Sequence, residues 1–214
     1  MPAYFYPGVL WQQARSAQES WVIANPNSGP GIANNQDYAL TIAQSKVNGL
    51  RVIGYVSTGY ASRPLSAVQD EIEKYYSWYG VDGIFLDEVA TDIGHVAYYK
   101  TLAGNIRAHA TGLVVLNPGT MPDEQYIALA DTTVVFEGTA RSYSSFVAPA
   151  WVWNYPSSKF AHLIYQVSSA SLKNVMNRSR NTNAGFFYAT NDTSPNPWDT
   201  LPGYWNTELK SIKN

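Results

Sequence analysis

Two apolar segments of this chain run directly into acidic residues, and paired acids are the groups that could do chemistry here. Residues 84–86 lead into Asp87 and Glu88, and residues 134–136 lead into Glu137. Glycoside hydrolysis needs one protonated carboxyl group to assist the leaving oxygen. It also needs one ionised carboxylate to attack the anomeric carbon or to activate water. We therefore predict that Asp87 and Glu137 form a catalytic pair.

Asp87 and Glu88 are neighbours, so their side chains would point to opposite sides of an extended strand. We expect Asp87 to face the centre of the site and Glu88 to orient a neighbour, contact substrate or bond to a loop. Close acids in a partly apolar site have separated pKa values, which supplies one protonated and one ionised group. The favoured assignment is a retaining mechanism with Asp87 as nucleophile and Glu137 as general acid, then general base.

Eight short apolar or β-branched runs, separated by helical patterns, would position these acids. Strand alternating with helix predicts a parallel sheet, and eight units over 214 residues average about 27 residues each. This predicts an α/β fold in which residues 1–214 form a single compact (β/α)8 TIM barrel. An open doubly wound sheet is the alternative, but Tyr6-Pro7-Gly8 stands where its Gly-rich nucleotide loop would lie.

The predicted elements alternate along the whole chain. The connections after the first and fifth strands are short, so we expect helices reduced to a turn or two there. The predicted strands are 3–6, 21–25, 51–55, 83–86, 114–117, 133–136, 162–165 and 185–189, and the predicted helices are 38–47, 65–78, 96–110, a helix capped by Ser171 through 178, and 202–213.

Polar or aromatic residues stand at the carboxyl end of almost every predicted strand. In a barrel of this kind the active site is built at that end. We therefore predict one cleft with the acids at its centre and other side chains binding substrate around them. The predicted substrate-binding residues are Tyr6, Asn25, Tyr55, Tyr60, Asn117, Tyr165, Tyr188 and Asn191.

The composition excludes several classes of function. Fourteen Lys and Arg against sixteen Asp and Glu give a net charge of -2 without a basic patch, which excludes an ordinary nucleic-acid binder. The apolar runs are too short for a membrane span. Three His and no Cys leave few ligands for a metal site, and the two-acid mechanism needs neither metal nor cofactor. We expect a monomer whose partner is a polysaccharide, in keeping with the 14% aromatic content.

Four long motifs in order resemble the spherulin-4 (spherulation-specific) family, also classed as glycoside hydrolase family 135. They are residues 3–8, 23–31, 54–60 and 82–88, and Asn117-Pro118-Gly119 and Phe136-Glu137 extend the similarity. The resemblance implies a (β/α)8 barrel and an endo-acting hydrolase. Its implied substrate is an α-1,4-linked polymer of galactose, N-acetylgalactosamine and galactosamine, found in fungal extracellular matrix and biofilm. The resemblance also implies that Asp87, Glu88 and Glu137 are the essential acids.

Two other functions fit parts of this pattern. A non-catalytic carbohydrate-binding barrel would keep the cleft, although such a protein usually loses a catalytic acid and all three are present here. A structural protein of spore or cell wall would suit the low charge and the sixteen Tyr.

The chain starts without a basic region or cleavage site of a signal peptide. Either the protein is cytoplasmic or its signal peptide has been trimmed. Because the family that it resembles has secreted members, we expect a secreted or cell-surface protein.

Overall fold

Eight β-strands lie side by side in chain order, and every neighbouring pair is parallel. This arrangement is seen in a computed structural model that describes residues 1–17 and 21–212. The sheet curls into a (β/α)8-like barrel, so the predicted fold class is confirmed. The strands are β1 Pro2–Ala3, β2 Trp21–Ala24, β3 Arg51–Ser57, β4 Gly83–Asp87, β5 Leu113–Leu116, β6 Thr132–Thr139, β7 Phe160–Tyr165 and β8 Phe186–Ala189.

Helices connect the strands and cover the outside of the barrel. The predicted short connections are confirmed, because only six helical residues follow β1 and a five-residue 3-10 turn follows β5. None of the helices in residues 1–17 and 21–212 is long and apolar enough to span a membrane. The helices are α1 Val9–Ala14, α2 Gln36–Val47, α3 Leu65–Tyr79, α4 Val96–Arg107, α5 Ala140–Tyr143, α6 Leu172–Asn181 and α7 Trp205–Ile212, and the 3-10 turns are Ile93–His95, Glu124–Ala128, Ala150–Asn154 and Ser157–Lys159.

The described helix ends differ from the predicted ones by up to three residues, as at the start of α7 and the ends of α4 and α6. Ser171 precedes α6, but its hydroxyl pairs with that of Ser168 at 2.7 Å and does not cap the helix. The last helix was predicted to end at Lys213, which lies outside the described residues.

The strands are apolar because both faces of a parallel barrel are covered. All four residues of β2 are buried, and so are the first four of β4. Helix α3 packs closely on β3 at Gly54, where a Cβ atom would stand 2.4 Å from the Tyr75 ring. Any larger residue at position 54 would therefore push α3 away from the sheet.

Several strands end at other residues than predicted at the carboxyl-end rim of the barrel, where the acids lie. Strand β1 ends at Ala3, whereas β3 continues to Ser57 and β6 to Thr139. Strand β4 ends at Asp87, and Glu88 has a left-handed backbone with φ of 52°. The expectation that Asp87 and Glu88 alternate along one extended strand is therefore wrong, because the chain turns at Glu88.

The seam between β8 and β1 is bridged by the segment that follows β8. The backbone N–H of Tyr4 donates to the carbonyl of Trp198 at 3.1 Å. Below this point the rings of Trp21 and Phe186 lie 5.6 Å apart. Trp198 thus sits between the first and last strands at the carboxyl end of the barrel.

Candidate active site

One side-chain amide joins the two acids on which the catalytic prediction depends. Nδ2 of Asn117 donates to Oδ1 of Asp87 and to Oε2 of Glu137, both at 2.7 Å. The two accepting oxygens are therefore no more than about 5.4 Å apart, twice the length of either bond. This upper limit lies below the roughly 6.5–9.5 Å of inverting glycosidases and is compatible with the about 5–5.5 Å of retaining ones.

Asn117 is held rigidly just past the end of β5. Its backbone N–H donates to the Leu86 carbonyl at 2.8 Å, and its carbonyl accepts from Val89 at 3.1 Å. Its side-chain Oδ1 accepts from the N–H of Gly119 at 3.0 Å. Because the oxygen end of the amide is committed to Gly119, both N–H groups are directed at the acids.

The Asp87 carboxyl group is surrounded by donors. Burial raises its pKa above the ordinary value, and hydrogen bonds from the Tyr55 hydroxyl, the Glu88 backbone and Asn117 oppose that rise. The pKa of the Tyr55 hydroxyl is raised by burial and by the nearby Asp87 charge, so this hydroxyl stays protonated and can donate to Asp87. Three donors on one carboxyl group favour its ionised form.

The Glu137 carboxyl group lies in a more apolar setting. Burial raises its pKa, and the Asp87 charge adds to that rise, whereas hydrogen bonds from Asn117 and Trp198 oppose it. The indole Nε1–H of Trp198 donates to Oε1 of Glu137 at 3.2 Å. The site thus combines an acid with three donors and an acid with two, which can carry different protonation states.

Glu88 lies beside the pair rather than between its members. Its Oε2 accepts a hydrogen bond from the Ser57 hydroxyl at the end of β3. Its carbonyl accepts from the backbone N–H of Tyr60 at 2.6 Å and from the Thr58 hydroxyl at 2.7 Å. Glu88 therefore ties the loop after β3 to the loop after β4. The exposed Tyr60 stands on the rim of the site at this junction.

Two aromatic residues at the site were not predicted from the sequence. The ring of Tyr4 meets Tyr55 edge-on at 5.6 Å, and burial together with the Asp87 and Glu137 charges raises the pKa of its hydroxyl. Tyr4 is the first residue past β1, so a correct strand boundary would have identified it. Trp198 stands in the proline-containing loop after β8, at the catalytic end of the barrel, and that location was its only signal.

The structure brings four of the predicted substrate-binding residues to the acids or to their immediate partners, and these are Tyr55, Asn117, Tyr165 and Tyr188. Tyr55 and Asn117 contact Asp87 directly. The Tyr165 ring meets that of Trp198 edge-on at 6.0 Å.

Two predicted residues instead make hydrogen bonds that hold the fold and do not contact the acids. The Tyr6 hydroxyl donates to Asp37 Oδ2 at 2.6 Å near the start of α2, because β1 ends three residues before Tyr6. The side chain of Asn25 accepts from the N–H of Gly29 at 3.0 Å and closes the turn after β2.

The two residues predicted from the end of β8 also serve the fold. Asn191 accepts from the N–H of Gly203 at 3.0 Å and fastens its loop. Tyr188 is buried between Trp198 and Trp205 and contributes to the core rather than to an open cleft. Within residues 1–17 and 21–212, no three His, Asp or Glu side chains cluster so as to hold a metal ion.

Structural comparison finds the same barrel in several solved structures. The structure of Aspergillus clavatus Sph3 in complex with GalNAc matches with a TM-score of 0.86 and 25% identity, over 99% of this chain and 95% of that one. The chitinase RmChi1 from Rhizomucor miehei matches with a TM-score of 0.59 and 10% identity, over 99% of both chains. An alpha-amylase from Geobacillus thermoleovorans matches with a TM-score of 0.58 and 8% identity, over 98% of this chain and 72% of that one. The last two show the fold alone.

Sequence comparison gives the family. Spherulin-4 of Physarum polycephalum is 32% identical over 231 residues, an alignment that spans 99% of this chain and 69% of that protein. Residues 1–212 match the family described as spherulation-specific family 4. With its length covered by both comparisons and its barrel shared with Sph3, the chain belongs to the spherulation-specific family 4.

Proposed function

We propose that this protein is a glycoside hydrolase that cuts internal bonds of an α-1,4-linked polysaccharide containing N-acetylgalactosamine and galactosamine. The observation that carries the proposal is the pair of partly buried carboxyl groups joined by Asn117. Their spacing suits a retaining reaction, and their unequal donor sets suit one ionised and one protonated acid. The likeness to Sph3, solved with GalNAc, supports an amino-sugar substrate.

The proposed reaction has two steps. A carboxylate oxygen of Asp87 bonds to the anomeric carbon while the bond from that carbon to the glycosidic oxygen breaks, and Glu137 gives its proton to the departing oxygen. Water then attacks the same carbon, Glu137 takes the proton from that water, and the bond to Asp87 breaks. Glu88 acts as a positioning residue that holds the loops after β3 and β4 together.

The decisive experiment compares acid variants on two substrates. The first is an α-1,4-linked N-acetylgalactosamine oligomer with products read by mass, and the second is a glycoside with an activated leaving group. Asp87→Asn should abolish turnover of both substrates because no nucleophile remains. Glu137→Gln should abolish turnover of the oligomer but spare the first step on the activated glycoside, since a good leaving group needs little protonation.

Each of the other possible results would support a different mechanism or function. Swapped behaviour of the two variants would exchange the roles of Asp87 and Glu137. An inverted anomeric configuration in the first product, read by NMR, would rule out the covalent route. Binding of the oligomer without any hydrolysis by the wild-type protein would indicate a carbohydrate-binding barrel, and absence of both would favour a structural protein.

A further inference from the structure

A groove of about 440 Å³ lies on the outer flank of the barrel, away from the acid pair. One wall is the connection between α5 and β7, and the other is one face of α6. Phe136 packs toward this flank against Tyr143 and Phe146, whereas its neighbour Glu137 points to the barrel centre. Because successive side chains of a strand point to opposite sides, the groove and the acid pair lie on different sides of β6.

An exposed tryptophan stands at the edge of this groove. All seven tryptophans of the chain are among the described residues, and Trp153 alone is exposed, with 58% of its surface accessible. Its neighbour Val152 is fully buried, and Asn183 donates to the carbonyls of Val152 and Tyr155, both at 3.0 Å. The turn that carries Trp153 is thus fixed to the end of α6, so the ring is held on the surface.

Three exposed asparagines face Trp153 from α6. Asn174, Asn177 and Asn181 are spaced three and four residues apart, which places them in one row along the helix. With a rise of about 1.5 Å per residue, the row is roughly 10 Å long and can meet more than one sugar ring. Within the described part of the chain these three amides make no hydrogen bond, and each offers donors and an acceptor.

Arg178 makes the groove a preformed site. Its Nε donates to the Tyr143 carbonyl at 2.8 Å and its Nη2 to the Phe146 carbonyl at 2.6 Å, which fastens one wall to the other. The residues lining the groove include no acidic side chain. A cationic amino sugar therefore gains no electrostatic attraction from this lining, whereas a neutral, N-acetylated sugar can contact amide groups and an aromatic face.

We propose that this groove is a second carbohydrate-binding site, which holds an N-acetylated stretch of polysaccharide while the acid pair cuts another part of the chain. Trp153 stacks on the apolar face of a pyranose ring, and the asparagines bond its hydroxyl and acetamido groups. The identity of the polymer rests on the proposed function. Binding in the groove does not depend on hydrolysis, and the test uses that difference.

The test measures the retardation of the protein in gels that contain the α-1,4-linked N-acetylgalactosamine polymer. Glu137→Gln is the background, so that the polymer is not cut during the run. The protein is made in a bacterial host, because Asn177-Arg178-Ser179 is an acceptor sequence for N-glycosylation. Trp153→Ala should weaken binding about threefold to tenfold, as expected for the loss of one aromatic contact. Asn177→Ala with Asn181→Ala should also weaken it, and Trp153→Phe should retain most of the affinity.

The matched control is Leu40→Ala on α2, an apolar residue with a similar exposed fraction of 59%. It should leave retardation unchanged. In the enzyme with Glu137 intact, Trp153→Ala should raise KM for the long polymer and leave kcat/KM for short oligosaccharides unchanged. Equal losses on both substrates would assign Trp153 a structural role and overturn the proposal.

Two further results separate this proposal from the proposed function. If Trp153→Ala reduces retardation but the wild-type protein cuts no polymer, the second site stands and the hydrolase assignment fails. If the wild-type protein cuts the polymer but Trp153→Ala and Leu40→Ala are retarded equally, the hydrolase assignment stands and the groove is not a carbohydrate site.

Discussion

The indole N–H of Trp198 donates to Oε1 of Glu137 at 3.2 Å, although 61 positions separate the two residues in the chain. The same tryptophan accepts the backbone bond that closes the seam beside β1. The barrel closure and the environment of the proposed acid therefore depend on one residue of the loop after β8.

Replacing Trp198 should change the protonation of Glu137. The indole hydrogen bond lowers the pKa of Glu137, so Trp198→Phe removes that effect and raises the pKa further. If Glu137 is the general acid, activity is lost as it deprotonates, and the basic limb of the kcat/KM profile should move to higher pH. The control Trp205→Phe, whose indole donates to the Gln13 carbonyl, should leave the profile in place. A basic limb that stays fixed in Trp198→Phe would contradict the role of Glu137.

Replacing Tyr55 should act on the opposite limb. The Tyr55 hydroxyl lowers the pKa of Asp87, so Tyr55→Phe should raise that pKa. Because the nucleophile works only when ionised, the acid limb of the kcat/KM profile should move to higher pH while the basic limb changes little. Tyr76→Phe is the control, since its hydroxyl bonds the Thr111 carbonyl far from the acids. Movement of the basic limb instead would assign Asp87 as the acid.

Asn117 should be a positioning residue for both acids. Asn117→Ala removes the amide that holds the two carboxyl groups at one spacing, and misplacement by about 1 Å can cost on the order of 10²-fold in rate. We expect kcat to fall by about that factor. In the wild-type protein the Asn117 hydrogen bonds lower the pKa values of both acids. Without them both pKa values rise, so both limbs of the pH profile should move to higher pH.

Asn48→Ala is a suitable control for that variant, because its amide donates to the Gln44 carbonyl at the end of α2. Its kcat should equal that of the wild-type enzyme. An unchanged pH profile in Asn117→Ala, with only the melting temperature lowered, would mean that Asn117 serves folding alone.

A buried acid that does not belong to the acid pair should make stability depend on pH. Glu208 of α7 is fully buried, accepts from the N–H of Ala189 at 2.8 Å, and has its pKa raised by burial from 4.5 to about 8. Between about pH 4.5 and pH 8, Glu208 is therefore protonated in the folded state and ionised in the unfolded chain. The contribution of Glu208 to stability is present below this window and is lost as pH rises through it.

Glu208→Gln should remove that dependence. Relative to the variant, the wild-type free energy of unfolding should fall between pH 5 and pH 8, by an amount on the order of a few kcal/mol, and level off above pH 8. Urea unfolding of both proteins at steps of one pH unit measures this difference in the free energy of unfolding. The control Asp70→Asn removes an exposed carboxylate of α3 and should differ from the wild type by a constant amount. A pH-independent difference for Glu208→Gln would show that Glu208 does not titrate in this window.

The sequence alone determined a parallel sheet covered by helices and the meeting of the acids at one edge of that sheet. Eight apolar runs at short intervals can bury both faces only as a parallel sheet covered by helices, and the carboxyl ends of such strands share one rim. Asp87 and Glu137 each follow an uninterrupted apolar run, so their convergence needed no knowledge of the loops. Asn117 was predicted at that rim for the same reason.

Only the tertiary structure decided where strands stop and which loop residues reach the rim. Tyr4 rather than Tyr6 lies at the site because only Pro2 and Ala3 of the first segment pair with β2. Trp198 reaches Glu137 because the segment after β8 turns back across the barrel seam, and local patterns do not encode the path of a loop. Hydrophobic periodicity is a local property of the chain. The bonds from Trp198 and Asn117 to the two acids join residues 20 to 61 positions apart and exist only once the barrel has closed.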